Sequence, residues 1–206
     1  MGEKHSEESE LSQMPRLTVQ FRLLGILPLG FFLAQAAHYW EISQLGHLLW
    51  MCNIGNVVLA LGLFLEQPVL IRVAVLWSVP GVFVWLRYVV SEWFHLSAVD
   101  WGAVLASTFA HLGGAIVGIL ALRKVRMDRV AWLYSFAWYL VLQLVSRLGT
   151  AADLNVNVSH SVYEGWQQLF TAYWKFWLLM TIVVATGLWL SGLALNKLWP
   201  SRPVGS

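Results

Sequence analysis

Six apolar stretches, each close to the length needed to cross a lipid bilayer, constrain this chain more than any other feature. A membrane-spanning helix needs about 20 consecutive, mostly apolar residues. The stretches that meet or approach this length are 21–40, 47–66, 69–90, 102–122, 130–148 and 174–197. Their apolar residues run continuously rather than alternating, which disfavours a transmembrane β-barrel. The sequence therefore predicts an all-α, polytopic integral membrane protein with six transmembrane helices.

Composition supports a single membrane domain. Hydrophobic residues make up 58% of the chain and charged residues only 12%, against about a quarter charged in soluble domains. We predict a membrane domain at 21–198 between a polar tail at 1–20 and a short tail at 199–206. The first tail lacks the basic-then-apolar order of a secretory signal. The formal net charge of +2 is too small to indicate nucleic acid, so membrane lipids are the expected partners.

The positive-inside rule predicts the orientation, because cytoplasmic loops carry an excess of Lys and Arg. With an even number of spans and both termini inside, three basic residues fall on the outer half: Arg87, Arg147 and Lys175. The other ten fall inside: Lys4, Arg16, Arg22, Arg72, Arg123, Lys124, Arg126, Arg129, Lys197 and Arg202. We therefore predict that both termini are cytoplasmic, in a membrane such as the bacterial inner membrane.

The longest connection, at 149–173, falls on the predicted outer side. It contains Tyr163, Trp166, Phe170 and Tyr173 at spacings of three to four residues. Aromatic residues at this spacing favour one face of a short helix that lies in the membrane interface. Long connections of this kind are often functional in compact proteins.

Polar residues collect in the predicted outer half of the domain, which also holds five of the six histidines. Ionisable groups at membrane depth are costly and usually face a cavity or a partner. The sequence therefore predicts an outward-facing polar cavity. The residues assigned to this half are His38, Glu41, His47, Cys52, Asn53, Asn56, Arg87, Glu92, His95, Asp100, His111, Arg147, Asp153, Asn155, Asn157 and His160.

Two of these residues are candidates for catalysis. Cys52, the only cysteine of the chain, stands in "HLLWMCNIGN", and a thiol becomes a good nucleophile when a base accepts its proton. His111, in "STFAHLGGAIVG", is the candidate base, and Gly114 and Gly118 would let a neighbouring helix approach closely. The alternatives are that Cys52 packs as a small apolar residue and that His111 hydrogen-bonds another helix.

Five further residues are candidates for substrate binding. Amide donors such as Asn53 or Asn56 can stabilise an oxyanion. Arg87 and Arg147 can hold a lipid phosphate, although both can also extend to the headgroups without a specific ligand. Asn155 lies in a polar segment that could equally serve as a turn. The pattern predicts no bound metal and no resident cofactor.

The order of these motifs resembles the YwaF-type integral membrane family, whose animal relative is a transmembrane acyltransferase acting on ether phospholipids. The segments that carry the resemblance are "GHLLWMCNIGNVVLALGLF", "STFAHLGGA" and "DLNVNVSHSVYEGWQQLFTAYWKFWLLMTIVV". It covers about residues 20–195 and implies a multi-span helical fold with Cys52 at the family cysteine and His111 at the family histidine. The family histidine two positions before the cysteine is replaced by Trp50.

Three classes of function are compatible with these observations. The first is a thiol-dependent acyl (lipid) transferase using Cys52 and His111. The second is a haem- or cofactor-binding redox protein, because histidines on neighbouring spans, here His38, His47 and His111, can ligate haem. The third is a non-enzymatic small transporter or assembly factor, a class in which broken helices are common.

Overall fold

The computed structural model of the chain describes residues 19–93 and 100–201, and these residues form six helices. We name them α1 to α6 in chain order: Val19–Glu41, Met51–Phe64, Pro68–Trp93, Trp101–Val125, Ala131–Gly149 and Tyr173–Leu198. No strand occurs within the described ranges, so the predicted all-α class is confirmed. Most of the tail at 1–20 and residues 202–206 lie outside the described residues, with Lys4, Arg16, His95 and Arg202.

Four of the six helices are long and apolar enough to cross a membrane, namely α1, α3, α4 and α6. The chain is therefore an integral membrane protein by helix length and composition. Helix α2 is apolar but has 14 residues, about 21 Å at 1.5 Å per residue, whereas the hydrocarbon core is about 30 Å thick. Helix α5 has 19 residues and is not among the four. Six complete spans and cytoplasmic termini stay predictions.

Helix α3 forms the centre of the bundle, because it packs against α2, α4, α5 and α6. Its residue Trp77 is 1% exposed, and the indole N–H donates a 3.1 Å hydrogen bond to the Ser135 carbonyl of α5. Large apolar side chains such as Phe83 and Leu148 are instead exposed on the outside of the bundle. A belt of exposed apolar side chains is what a lipid-facing surface requires.

Helix α4 approaches α2 and α3 closely at two glycines, as the sequence predicted. A Cβ atom on Gly118 would lie 2.7 Å from Val75 Cγ2, and one on Gly114 would collide with Asn56 Oδ1. No larger residue fits at either position without displacing a neighbour. These glycines therefore bring the middle of α4 against the polar beginning of α2.

Two helices depart from regular geometry near the predicted site. The predicted span at 47–66 begins with a 3₁₀ turn, Leu45–Leu49, and the α-helix starts only at Met51, after an extended Trp50 with φ −55° and ψ 136°. In α4, residues Phe109–Gly113 form a π-turn. Cys52 consequently lies at a helix N-terminus, and His111 lies inside the π-turn.

The prediction of an interfacial helix within 149–173 is wrong. That segment contains two 3₁₀ turns, Ala152–Leu154 and Val156–Val158, followed by non-helical turns. The aromatic rings do not share a helix face, because Tyr163, Trp166 and Phe170 surround Phe176 with ring centroids 5.4, 6.1 and 5.2 Å from its ring. Contacts with α6 therefore determine the path of this segment.

Ion pairs join the helices at the end of the bundle that carries the short turns, which we call the basic end. Arg22 Nε lies 2.8 Å from Glu66 Oε1. Arg72 Nε donates a 2.9 Å hydrogen bond to the Arg126 carbonyl, and Arg72 Nη1 lies 3.7 Å from Asp128 Oδ2. We call the opposite end, where α3 ends and α4 begins and which carries the connections at 42–50 and 150–172, the loop end.

The close approach of α4 to α3 predicts that Gly118→Ala destabilises the protein. The added methyl would meet Val75, and overpacking of a core position typically costs about 1–3 kcal/mol. The matched control is Gly187→Ala in α6, where a Cβ atom would have no neighbour within 4 Å. Thermal unfolding of the purified proteins should show a lower midpoint for Gly118→Ala only. Equal midpoints for the two variants would contradict this packing.

Candidate functional site

A cavity of approximately 370 Å³ opens towards the loop end, among α1, α2, α3 and α4. Its polar lining includes Gln35, His38, His47, Cys52, Asn53 and His111, and its apolar lining includes Val84 and Ala103. Several of the polar residues that the sequence assigned to one half of the domain thus line a common cavity. Whether it faces outward depends on the orientation of the chain, which stays a prediction.

The position of Cys52 follows from the way α2 begins. Trp50 is extended, Met51 is the first helical residue and Cys52 is the second. The Met51 N–H donates a 3.1 Å hydrogen bond to Asn157 Oδ1, which caps the helix from the distant 150–172 segment. Because helix dipoles place partial positive charge at the N-terminus, the half-buried thiol of Cys52 lies where negative charge is stabilised.

The ring of His111 is oriented by the backbone one turn earlier in α4. Its Nδ1 lies 2.8 Å from the Ser107 carbonyl oxygen and 3.4 Å from the Ser107 hydroxyl. A carbonyl oxygen can only accept a hydrogen bond, so Nδ1 carries the proton in the neutral ring. The lone pair is then on Nε2, which leaves this atom as the basic position of the ring.

The side chains of Cys52 and His111 lie close together, and both line the cavity. Both rest against Gly81 of α3, where an added Cβ atom would lie 3.3 Å from Cys52 Cβ and 3.6 Å from His111 Cδ2. Since Nδ1 is engaged by Ser107, Nε2 is the ring atom left to accept a proton from the thiol. The structure thus brings the two candidate catalytic residues together, and their catalytic roles stay a prediction.

Asn56 does not line the cavity, and its Nδ2 atom already donates to two backbone carbonyls. The side chain is 0% exposed, and Nδ2 donates to the Cys52 carbonyl at 3.1 Å and to the Ala110 carbonyl at 2.8 Å. The second bond depends on the π-turn, in which the Gly114 N–H bonds to the Phe109 carbonyl five residues back. Asn56 therefore joins α2 to the π-turn of His111 instead of contacting substrate.

Asn53 lines the cavity, but it offers an acceptor rather than a donor. Its Nδ2 donates a 2.9 Å hydrogen bond to the His47 carbonyl, and its buried Oδ1 has no partner among the described residues. Two other lining residues also have a buried polar atom without a partner among the described residues: Gln35 has the acceptor Oε1, and Trp85 has the donor Nε1. Buried polar atoms are ordinarily hydrogen-bonded, so the cavity is suited to a polar ligand group or to water.

A row of rings forms the wall of the cavity next to Cys52. The Tyr39 and His47 ring centroids are 5.3 Å apart, and the Trp50 indole N–H donates a 3.0 Å hydrogen bond to His47 Nδ1. Burial lowers the pKa of His47 from its ordinary value of 6.5, and the negative charge of Asp153 opposes this in part. His47 is therefore neutral near pH 7, with its proton on Nε2.

The two predicted substrate-binding arginines do not line this cavity, and their role in substrate binding stays a prediction. Arg87 is exposed on α3 and lies near Tyr163. Burial raises the pKa of the Tyr163 hydroxyl, and the positive charge of Arg87 partly opposes this increase. Arg147 Nη1 donates a 2.6 Å hydrogen bond to the Ser159 carbonyl, and its Cζ lies 5.5 Å from the centroid of the Tyr173 ring. The direction of each helix gives the depth of an arginine in the bundle but not the helix face on which it lies.

Asn155 is likewise outside the cavity and stabilises its own segment. It has a left-handed backbone with φ 42°, and its Oδ1 accepts 3.0 Å hydrogen bonds from the N–H groups of His160 and Ser161. These two hydrogen bonds hold a bend between residues 155 and 161, so Asn155 acts as a turn former. Among the described residues, no group of three or more His, Cys, Asp or Glu is placed to hold a metal ion.

Asn157 supports the site, although the sequence analysis only counted it among the polar residues and did not select it as a site residue. It is 3% exposed, and besides accepting from Met51 it donates to the Leu49 carbonyl at 2.7 Å and to Ser146 Oγ at 2.8 Å. Its own carbonyl accepts from Gln143 Nε2 at 3.1 Å. The only sequence signal was an asparagine between valines, which tolerates the positive φ of 52° found here.

Comparisons of the chain with protein-family models, with curated proteins and with solved structures find no match. The class that the fold defines is an integral membrane protein with a thiol–imidazole pair at the wall of a cavity. The resemblance to the YwaF-type family rests on the sequence patterns alone and stays a prediction.

The lowered pKa of His47 predicts a pH dependence of stability. The unfolded chain binds this proton more readily than the folded protein, so stability falls as the pH drops through 6.5. Protonation of Nδ1 would also break the hydrogen bond from Trp50. Thermal unfolding between about pH 7.5 and about pH 5 should therefore show a smaller acid-induced decrease in His47→Gln than in the wild type. Equal acid-induced decreases of the unfolding midpoint in both proteins would contradict the expected contribution of His47.

Proposed function

We propose that this protein is a membrane enzyme that transfers acyl groups between lipids through a thioester on Cys52. The observation that carries the proposal is that Cys52 and His111 both lie against Gly81 and line one cavity, and that the Ser107 carbonyl holds the His111 ring. A nucleophile, a base and a group that orients the base form the recurring arrangement of covalent catalysis. Here all three are side by side at the wall of a cavity.

The proposed reaction has two balanced halves. In the first, His111 Nε2 takes the thiol proton while the sulfur attacks the carbonyl carbon of a lipid ester. The C–O bond then breaks, His111 returns the proton to the leaving alcohol oxygen, and the acyl group remains as a thioester. In the second, His111 removes the proton from a lipid hydroxyl, whose oxygen attacks the carbonyl carbon of the thioester. The C–S bond then breaks, and His111 returns the proton to the sulfur.

The start of α2 favours the charges that form in these steps. The first four N–H groups of a helix have no carbonyl partner within it, and the amide of Cys52 is among them. That amide and the helix dipole would stabilise negative charge on the sulfur and on the carbonyl oxygen during attack. The side chains of Asn53 and Asn56 are not needed as donors, because their Nδ2 atoms already bond to backbone carbonyls.

A lipid substrate is favoured by the surroundings of the cavity. The cavity walls include Val84 and Trp85, and the neighbouring faces of α3 and α4 expose Phe83 and Leu105. A substrate can therefore enter along apolar surface from the bilayer. His111 is ten residues into α4, about 15 Å from its start, so a lipid ester would reach it by entering the cavity between the helices.

A second candidate function is binding of a redox cofactor such as haem. The observation that favours it is that His38, His47 and His111 all line one cavity. Nδ1 of both His47 and His111 is engaged with protein groups, so ligation would have to use Nε2. A haem absorbance band that is lost in His111→Gln and retained in Cys52→Ala would favour this function over acyl transfer.

The acyl-transfer proposal predicts a covalent intermediate on the only cysteine. Incubation of the full-length protein in vesicles with phospholipid should add one acyl mass that hydroxylamine removes. Cys52→Ala should abolish both the adduct and transfer to a lipid alcohol, since the sulfur carries the acyl group. His111→Gln should slow the transfer about 10²–10⁴-fold, the usual contribution of a general base.

The matched control for this experiment is His38→Gln. This histidine lines the same cavity, but it takes no part in the proposed proton transfer, so its replacement should change the rate only severalfold. Full transfer activity in Cys52→Ala would contradict the proposal. Equal loss in His38→Gln and His111→Gln would also contradict it, because general damage to the cavity would then explain the result.

A further inference from the structure

A second depression lies between α5 and α6 at the loop end, and we call it the Arg147 groove. Its volume is approximately 390 Å³, and its lining includes Leu140, Leu144, Arg147, Ser159, Tyr173 and Trp177. None of its lining residues lines the cavity at Cys52. The groove is therefore a separate feature that the proposed acyl transfer does not use.

The guanidinium of Arg147 is held in place without being neutralised. Its Nη1 donates to the Ser159 carbonyl at 2.6 Å, and Cζ lies 5.5 Å from the centroid of the Tyr173 ring. The ion pairs found within the described ranges are Arg22 with Glu66 and Arg72 with Asp128, so no described carboxylate pairs with Arg147. A guanidinium has five N–H donors, and the remaining donors are available to an anion.

Ser159 supplies a second, independent indication of a ligand. The residue is 1% exposed, and its buried Oγ has no hydrogen-bond partner among the described residues. The same residue lines the Arg147 groove and positions the arginine through its carbonyl. A buried hydroxyl without a partner beside a fixed cation matches the needs of a phosphate, which accepts hydrogen bonds from both groups.

The depth of the groove matches the headgroup region of a bilayer. Arg147 is in the last turn of α5, and Tyr173 is the first residue of α6. Tryptophans concentrate at membrane interfaces, and Trp174 and Trp177 both line the groove. Leu144 and Leu140 lie one and two turns further along α5 towards the basic end, and both are exposed, so apolar surface continues from the cation into the bilayer.

We propose that the Arg147 groove binds the phosphate of an anionic membrane phospholipid, with Arg147 and Ser159 holding the phosphate and an acyl chain lying along Leu144 and Leu140. The uncompensated positive charge favours a lipid with net negative charge over a zwitterionic one. Arginine suits this contact because its planar donors can bind two phosphate oxygens at once.

The test is native mass spectrometry of the full-length protein titrated with phosphatidylglycerol or phosphatidylcholine in detergent. Wild type should retain phosphatidylglycerol more tightly than phosphatidylcholine. Arg147→Gln should weaken the tightest phosphatidylglycerol site about tenfold, the expected effect of losing a charge-assisted contact. Ser159→Ala should weaken it severalfold while the arginine remains. Circular dichroism and thermal unfolding of each variant establish that it is folded.

Two further variants keep the proposal falsifiable. Arg87→Gln removes one exposed positive charge from the same end of the bundle and should leave the tightest site unchanged. Arg147→Lys preserves the charge without the planar donors, so binding should be intermediate even if Arg147→Gln is poorly folded. Equal losses in Arg87→Gln and Arg147→Gln would overturn the proposal in favour of diffuse electrostatic attraction. A groove covered by a second copy of the chain, seen as a dimer that Arg147→Lys abolishes, would also overturn it.

Discussion

The hydrogen bonds of Asn157 are the interaction on which the arrangement of the site depends. They bring the 150–172 segment against the start of α2, where Asn157 accepts from Met51 and donates to the Leu49 carbonyl. The α-helix can then begin at Met51 instead of at the predicted residue 47, and Cys52 is placed at its positive end. An uncapped helix start buried in the protein would leave donors unsatisfied. The long connection is thus part of the site even though it does not line the cavity.

The π-turn of α4 performs the complementary task for His111. It redirects backbone hydrogen bonds, so that the Ala110 carbonyl accepts from Asn56 and the two helices are joined. Such turns within helices often occur at functional sites. Because Gly81 has no side chain, Cys52 and His111 can both pack against α3 at this position. Three helices and one distant segment therefore cooperate to orient a single thiol–imidazole pair.

The sequence predicted the parts of this protein that depend on hydropathy and on small residues. Apolar runs located all six helices, and Gly114 and Gly118 indicated the close approach of α4. The sequence placed Cys52 and His111 at similar depths, and the structure has both at one cavity. Depth, however, does not define a helix face, so it could not show that Arg87 and Arg147 lie outside that cavity. The capping by Asn157 and the π-turn depend on contacts between distant segments, which local propensity does not encode.

The most direct test of the account is the rate at which iodoacetamide alkylates Cys52 in the folded protein near neutral pH. The chain has one cysteine, so each added mass reports this residue. The account predicts that the thiol of the folded wild type reacts, and that His111→Gln slows the reaction by about tenfold or more, since the base that removes the thiol proton is lost. His38→Gln, which leaves that base in place, should react at close to the wild-type rate. A rate that is unchanged in His111→Gln, or a thiol that reacts only after denaturation, would contradict it.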